Sequence, residues 1–401
     1  MMSAVRRPGA RKWYPAAVFA TLVLALAGCA DAPVPPERAE PGALITATPI
    51  PAAPGANSPA SVAGRAERIT YLSESASGQS ILVSGTVAIP AGDPPEGGWP
   101  IISWAHGTTG VGDACAPSAD SAGGPAHDYL AVTDPVLARW VHDGYAVVAT
   151  DYEGLGTPGG HPYMNGVSAA HTVTDIVRAA RELDPGIGAK WVVAGHSQGG
   201  HAALFTAADA ARRAPELDLL GAVAYAPGSR TSETAAYMAA GGPGVRAAVP
   251  FLPVLLLGAE AADPALVAET MISDAAKPLL GAARTGCMDQ IRAAAATIPA
   301  GGLFAPGADT AALTAYFAGQ EPDTLSLTVP TMVAQGTADA LVAEPVTKQI
   351  TASLCANGSP LDYRTYEGAD HRAVLEVARG DADAFLSSLF AGQPPGTVCG
   401  S

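Results

Sequence analysis

Short runs of apolar and β-branched residues alternate with alanine-rich stretches from about residue 67 to the C-terminus. The runs lack the polar alternation of a half-exposed strand, which is typical of strands buried on both faces of a parallel sheet. The pattern therefore predicts an α/β fold, with a mostly parallel sheet flanked by helices. The predicted strands are residues 81–89, 101–104, 146–150, 191–194, 222–225, 331–334 and 363–366.

Helices are predicted between these strands. Thr133, Asp134 and Pro135 have the pattern of a helix N-cap followed by a proline in the first turn, and Gly144 has the pattern of a helix end. Residues 168–183 and 199–213 predict two further helices.

The alternation stops between residues 228 and 322, where the chain is rich in Ala, Leu, Gly and Pro without a clear strand. An insertion of this length between two strands predicts a helical lid or cap. The predicted organisation is a core in two parts, residues 67–227 and 323–401, with the lid between them.

The N-terminal region has the pattern of an export signal. Four basic residues among the first twelve precede an apolar run at 13–27, and Leu26-Ala27-Gly28-Cys29 resembles the lipobox of bacterial lipoproteins. We expect a signal peptide over residues 1–28, a lipid on Cys29, and a location at the bacterial cell envelope, either anchored at the membrane or released. An ordinary signal peptide or an uncleaved anchor is the alternative. The apolar run is shorter than the roughly 20 residues of a membrane-spanning helix.

Residues 29–66 contain mostly Ala, Pro, Gly and Ser, which predicts an extended tether. The remainder has the composition of a folded protein, because 48% of all residues are hydrophobic and 15% are charged. The net charge is −15, and no basic cluster occurs beyond the N-terminus, which excludes nucleic acid as an expected partner.

Four cysteines remain beyond Cys29, namely Cys115, Cys287, Cys355 and Cys399. In an exported chain they predict two disulfides, with three possible connectivities. A zinc site is the weaker interpretation, because no C-x-x-C or His/Cys cluster is present. We expect no metal and no organic cofactor.

The sequence Gly-His-Ser-Gln-Gly at residues 195–199 fits the G-x-S-x-G motif. The motif occurs by chance in Gly-rich chains, and a plain Gly-rich turn is the alternative. Here it lies between a buried-strand pattern at 190–194 and a helical pattern at 200–208, as the nucleophile elbow of α/β-hydrolases requires. Ser197 is therefore the predicted nucleophile.

A serine nucleophile needs a base, and in α/β-hydrolases an acid and then a histidine follow the serine. Asp339 follows the strand pattern at 331–334, and His371 follows the one at 363–366. The carboxyl ends of parallel strands share one edge of a sheet, so we predict that these two residues complete a triad with Ser197. Glu344 and Asp370 are the alternative acids.

The other histidines are weaker candidates for the base. His196 and His201 flank the nucleophile and are expected to be packing or pocket residues. The remaining five precede Ser197, which disfavours them; they are His106, His127, His142, His161 and His171.

An oxyanion hole requires at least two donors. The backbone N–H of Gln198 is one by the geometry of the elbow. The second comes either from the loop at 106–110, through Thr108, or from the loop at 151–154, through Asp151. As a donor, Asp151 would need a proton near neutral pH, and a structural hydrogen-bond acceptor is the alternative role for it.

Several segments together resemble the secretory lipase family, in order from about residue 67 to the end. They are the loop at 106–110, Cys-Ala-Pro-Ser at 115–118, the segment 149–154, the elbow, Gly286-Cys287 and residues 398–400. The resemblance implies an α/β-hydrolase fold with a helical lid, an oxyanion hole of Asp151 and Gln198, and disulfides Cys355–Cys399 and Cys115–Cys287. The elbow differs from the family's best-known member, which has Tyr and Gly at the positions of His196 and Gln198.

These patterns predict a serine lipase or carboxylesterase that hydrolyses small-molecule or lipid esters through an acyl-enzyme. A peptidase or amidase with the same triad is one alternative. A catalytically inactive lipoprotein that binds components of the cell envelope is the other.

Overall fold

A computed structural model of the chain describes residues 40–52, 57–241, 244–393, 396 and 399. Within this part, nine strands form one sheet in the order β1-β2-β3-β5-β4-β6-β7-β8-β9. The strands are β1 Leu44–Pro49, β2 Arg65–Glu74, β3 Ser80–Ile89, β4 Trp99–Ala105, β5 Ala146–Thr150, β6 Ile187–His196, β7 Asp218–Tyr225, β8 Thr331–Gly336 and β9 Leu361–Tyr366.

Thirteen α-helices occur in the same described residues. They are α1 Pro59–Val62, α2 His127–His142, α3 Gly166–Leu183, α4 Gln198–Arg213, α5 Thr231–Ala240, α6 Leu252–Ala262, α7 Ala268–Met271, α8 Pro278–Thr285, α9 Met288–Ala295, α10 Thr310–Ala318, α11 Glu344–Ala356, α12 Val374–Val377 and α13 Arg379–Phe390.

The sheet is parallel from β5 through β4 and β6 to β9, and antiparallel where β1, β2, β3 and β5 pair. The seven strands expected from the apolar runs correspond to β3–β9. Strands β4–β8 are buried on both faces over most of their length, which explains their continuous apolar patterns. The predicted α/β architecture is confirmed.

Two hydrophobic clusters lie on opposite faces of the sheet. In β6, Val193 belongs to the cluster packed against α3, α4 and α11, whereas its neighbour Val192 belongs to the cluster packed against α2 and α13. Both valines are fully buried. Each buried side chain of this size stabilises the fold by roughly 1.5–3 kcal/mol relative to exposure.

The tether predicted over residues 29–66 is wrong where the structure describes secondary structure. Leu44–Pro49 forms the edge strand β1, which pairs antiparallel with β2, and α1 and the start of β2 also lie in this range. The run Leu-Ile-Thr-Ala-Thr-Pro has strand-forming residues, and its proline is tolerated at the end of an edge strand. The surrounding Pro-rich composition obscured that short pattern.

The predicted start of α2 at Thr133 is also wrong. The helix begins at His127, and Pro135 lies inside it. A proline removes one intrahelical hydrogen bond, but Trp140 and Val141 on the same helix are almost fully buried. Packing of this apolar face therefore outweighs the local signal at the proline.

The region at 228–322 contains α5–α10 and, in its described residues, no strand beyond an isolated bridge between Ile272 and Phe304. These helices have a hydrophobic cluster of their own, which includes Leu252, Leu256 and Phe317. The predicted helical insertion is therefore present, and it is called the lid below. None of the described helices is both long and apolar enough to cross a membrane.

Candidate active site

Ser197 occupies a sharp turn between β6 and α4. Its backbone has φ 59° and ψ −116°, a strained conformation for a residue with a side chain. A Cβ atom on Gly195 would lie 2.1 Å from the Gly199 carbonyl oxygen, and one on Gly199 would lie 1.8 Å from the Ala105 carbonyl oxygen. Only glycine fits at both positions, because any side chain there would clash with the backbone. The two glycines of the motif therefore permit the strained turn at Ser197.

The three residues of the predicted triad lie in hydrogen-bonding contact. His371 Nε2 is 2.9 Å from Ser197 Oγ, and His371 Nδ1 is 2.7 Å from Asp339 Oδ2. Asp339 lies in the turn after β8, and His371 lies in the turn after β9. Since both strands end at the same edge of the sheet as β6, the topology brings the three side chains together.

Asp339 is held in its ionised form. Its Oδ1 atom accepts hydrogen bonds from the backbone N–H groups of Leu341 (2.8 Å) and Val342 (2.9 Å). Burial acts to raise the pKa of Asp339, but the hydrogen bond and charge of His371, together with these two N–H groups, hold that pKa below its usual value. The carboxylate can therefore orient the imidazole and stabilise its protonated form.

The alternative acids point elsewhere. Glu344 accepts a hydrogen bond from the Tyr363 hydroxyl at 3.1 Å. The Asp370 carboxylate accepts from the backbone N–H groups of Arg372 and Ala373. Asp339 is the acid that contacts His371.

The carboxylate of Asp151 is engaged as a hydrogen-bond acceptor. It accepts hydrogen bonds from the Ser84 hydroxyl (2.6 Å), from the Ser118 backbone N–H (2.8 Å) and from the Ser118 hydroxyl. It lines a different cavity from the one that Ser197 lines. These contacts favour the alternative role given for Asp151, a buried structural acceptor, over the donor role that the resemblance implied.

The loop at 106–110 lies beside the elbow. A Cβ on Gly199 would lie 2.8 Å from the His106 carbonyl oxygen, and one on Gly107 would lie 3.1 Å from the His196 carbonyl oxygen. The Thr108 hydroxyl shares a hydrogen bond with Tyr163 Oη at 2.8 Å. Within the described part of the chain, the backbone N–H of Thr108 has no acceptor.

The Gln198 backbone N–H, at the start of α4, likewise has no acceptor among the described residues. Its side-chain Nε2 donates to His161 Nε2 at 2.9 Å, and His161 Nδ1 donates to the Glu153 carbonyl oxygen at 2.8 Å. Burial lowers the pKa of His161 to about 4, so the ring is neutral and can accept from Gln198.

A cavity of about 500 Å³ opens onto the triad. Ser197, Gln198 and His371 line it together with apolar and polar side chains, several of them from the lid. The apolar members include Tyr163, Met164, Tyr237, Phe251, Leu255, Leu341, Val342 and Val346, and the charged members beside the triad are Arg230 and Glu233.

Three residues near the triad were not predicted to contribute to it. Tyr163 and His161 contact the two elements that carry the free N–H groups, and Tyr129 accepts from the Gly107 backbone N–H at 2.6 Å. The contacting residues lie 22 to 55 positions apart in the sequence, so no local pattern predicts these contacts.

Both disulfides have the pairing that the resemblance implied. Cys115–Cys287 joins the loop after β4 to the start of α9 in the lid, and Cys355–Cys399 joins α11 to the C-terminal segment.

The predicted lipidation site Cys29 and the signal peptide lie outside the described residues. Among the described residues, no group of three or more His, Cys, Asp or Glu side chains could hold a metal ion.

The strand order, the elbow between β6 and α4, and an acid and a histidine after the last two strands define an α/β-hydrolase. Solved structures support this fold. Candida antarctica lipase A has a TM-score of 0.76 at 18% identity, covering 91% of this chain and 86% of that one. The rice cell wall degrading esterase LipA from Xanthomonas oryzae has a TM-score of 0.68 at 20% identity, covering 88% and 100%.

A putative hydrolase from Legionella pneumophila has a TM-score of 0.65 at 21% identity, covering 81% of this chain and 88% of that one. No curated protein matches the sequence. The model of the secretory lipase family matches residues 130–397, and the chain belongs to this family. The protein is thus a hydrolase that acts on esters, and its two disulfides fit an exported protein.

Proposed function

We propose that the protein is a serine lipase or carboxylesterase that works through an acyl-enzyme on Ser197. The observation that carries this proposal is the continuous hydrogen-bonded series from Asp339 through His371 to Ser197, with distances of 2.7 and 2.9 Å. These distances lie within the range in which a base can take a proton from a nucleophile.

The reaction has two halves. His371 Nε2 takes the proton of the Ser197 hydroxyl as Oγ attacks the ester carbonyl carbon, and the resulting imidazolium is stabilised by Asp339. His371 then gives this proton to the leaving alcohol as the C–O bond breaks, which leaves the acyl group on Ser197. In the second half His371 activates a water molecule, and its attack releases the acid and restores the serine.

The oxyanion of each tetrahedral intermediate needs donors that are already in place. We assign these to the backbone N–H groups of Gln198 and Thr108. Both groups are unpaired among the described residues, and the loop that carries Thr108 packs directly against the elbow. The N-terminus of α4 adds a favourable dipole for negative charge.

The lining of the cavity favours an acyl ester over a peptide. Its apolar side chains, among them Phe251, Leu255 and Leu341, suit a hydrocarbon chain. The peptidase or amidase alternative uses the same triad, so it must be separated by activity.

The test is a hydrolysis profile across nitrophenyl esters of increasing acyl length, compared with aminoacyl anilides. We expect ester hydrolysis to dominate. Ser197→Ala and His371→Ala should each lower kcat by about 10⁴-fold or more, with folding retained by circular dichroism. Glu344→Gln is the matched control, since Glu344 does not contact His371, and it should retain activity. Full activity in Ser197→Ala would exclude the proposed mechanism.

We also propose that the exported protein is anchored through a lipid on Cys29, on the basis of the lipobox resemblance. Intact-mass analysis of protein extracted from membranes should show a diacylglycerol-modified chain that begins at Cys29. An unmodified chain that begins beyond Cys29 would contradict the anchor while leaving the proposed chemistry untouched.

A further inference from the structure

We propose that Tyr129 and His196 form a positioning bridge that ties the backbone of His371 to the loop that carries Thr108. Neither residue touches the reacting atoms, and the inference rests on the proposed function of Ser197 and His371. The bridge consists of three hydrogen bonds among buried groups.

The direction of each hydrogen bond follows from the last one. His196 Nε2 is 2.7 Å from the His371 carbonyl oxygen, and because a carbonyl can only accept, Nε2 carries the proton. In a neutral ring Nδ1 is then an acceptor, so the Tyr129 hydroxyl, 3.2 Å away, donates to it. The same hydroxyl accepts the Gly107 backbone N–H at 2.6 Å. Every donor and acceptor in the bridge therefore has a partner.

The bridge depends on a neutral His196. Burial, together with the positive charge that His371 carries when protonated, lowers the pKa of His196 to about 3. His196 is also only 1% exposed. It can therefore hold the catalytic histidine without competing for the proton of Ser197.

Three further contacts hold the turn that carries His371. The His196 ring packs against the His371 ring with centroids 4.7 Å apart. The next residue along the chain, Arg372, pairs with Asp128 at 2.8 Å and lies over the Tyr129 ring at 5.8 Å. The turn that carries His371 is thus held to the first turn of α2 on both sides of the bridge.

The bridge has a consequence for catalysis. The base must reach Ser197 Oγ, while the donors on the other side must reach the oxyanion, and misplacement of either by about 1 Å can cost 10²-fold in rate. The Tyr129 hydroxyl contacts both Gly107 and His196, so the bridge positions the base and the donor loop relative to each other. Its loss should lower kcat, which depends on this alignment, more than KM, which depends on the cavity lined by the lid.

The experiment compares purified full-length variants over a range of nitrophenyl ester concentrations, from well below KM to saturation. Tyr129→Phe keeps the ring and removes the hydroxyl, so we expect kcat to fall about tenfold or more, with KM within about twofold. Tyr71→Phe is the matched control. Its buried hydroxyl also makes two hydrogen bonds, to Thr150 and to the Thr172 carbonyl, and its loss should reduce stability with kcat unchanged.

Position 196 supplies the rescue. His196→Leu removes the donor to the His371 carbonyl and should lower kcat at least as far as Tyr129→Phe does. His196→Gln places an amide N–H where Nε2 was and should recover most of that kcat. The double variant Tyr129→Phe/His196→Leu should be no worse than the poorer single variant, because both changes break one bridge.

A Tyr129→Phe kcat no lower than that of Tyr71→Phe would overturn the bridge, and so would equal activity of His196→Gln and His196→Leu. Ser197→Ala is assayed alongside. Retained activity in that variant rejects the proposed function itself, whereas an inactive Ser197→Ala with an unaffected Tyr129→Phe rejects the bridge alone.

Discussion

Asp151 shows how the role of a single carboxylate depends on its contacts. It is 1% exposed and accepts three hydrogen bonds from Ser84 and Ser118. Ser118 lies three residues after Cys115, so Asp151 fixes the segment that the Cys115–Cys287 disulfide joins to the lid. The contacts assign it to the architecture around the site.

Replacing Asp151 should therefore affect stability more than catalysis. Asp151→Ala leaves buried donors of Ser84 and Ser118 unpaired, and each such group costs about 1–3 kcal/mol. We expect a lower urea midpoint for Asp151→Ala and for Asp151→Asn, and a kcat loss well below the 10²–10³ of a lost oxyanion donor. If Ala lowers kcat by that amount at unchanged stability while Asn retains it, Asp151 is a donor after all.

The hydrogen-bonded grouping of Ser197, Asp339 and His371 could be predicted from sequence, whereas the choice between Asp151 and Thr108 as the second donor could not. Ser197, Asp339 and His371 each follow a recognisable strand, and the topology of the sheet brings such positions together. The function of Asp151 depends instead on Ser84 and Ser118, which are 67 and 33 residues away. No local pattern encodes those contacts.

Among the elements of the fold, β6, α4 and the end of β4 meet at the elbow, where their backbones are in direct contact. The position of a Cβ on Gly199 lies 1.8 Å from the Ala105 carbonyl oxygen, which is backbone and cannot rotate away. The loop at 106–110 begins directly after Ala105. The glycine therefore determines how closely the loop approaches the nucleophile.

Gly199→Ala should destabilise the protein, since overpacking typically costs 1–3 kcal/mol and more where backbone must move. Gly281→Ala is the matched control. Gly281 lies in α8, and a Cβ there meets no atom within 4 Å. This change should stabilise the helix by up to about 1 kcal/mol. Thermal unfolding measures both, and equal midpoints for the two variants would contradict the predicted close approach.

The strands that the sequence patterns missed lie at one edge of the sheet. Both β1 and β2 pair antiparallel, and β1 is largely exposed, so neither has the continuous apolar run of the central strands β4–β8. The start of α2 was missed for the opposite reason, because a strong local proline signal is overridden by burial of Trp140 and Val141. Edge strands and helix starts depend on the elements against which they pack, and those elements lie elsewhere in the sequence.

Several histidines of the folded protein are buried and neutral. Burial lowers the pKa of His161 to about 4, of His196 to about 3 and of His201 to about 4. In the unfolded chain these rings protonate near 6.5, so below that pH the unfolded state binds more protons and the folded state is destabilised. This loss of stability develops as the pH falls from about 6.5 toward the pKa values of these histidines in the folded state. Burial raises the pKa of Asp134 to about 6, which offsets part of this loss.

We expect the free energy of unfolding to fall between pH 7.5 and pH 5.0, by on the order of 2 kcal/mol for each of these histidines. His201→Gln should remove one such contribution while keeping a donor for the Gln320 carbonyl oxygen, which His201 Nε2 contacts at 2.7 Å. The control is His142→Gln, whose side chain is 79% exposed. Urea unfolding at the two pH values measures the difference, and an identical pH dependence in both variants would refute it.

In the proposed mechanism, the acyl group of the ester is transferred to Ser197. The most direct measurement is peptide mass spectrometry after reaction with an alkyl fluorophosphonate, which forms a stable adduct with an activated serine in place of the acyl group. We expect one adduct per chain, located on Ser197 and accompanied by loss of esterase activity. The adduct should be absent in Ser197→Ala and in heat-denatured protein. An adduct on another residue, or hydrolysis that persists after Ser197 is fully modified, would contradict the proposed mechanism.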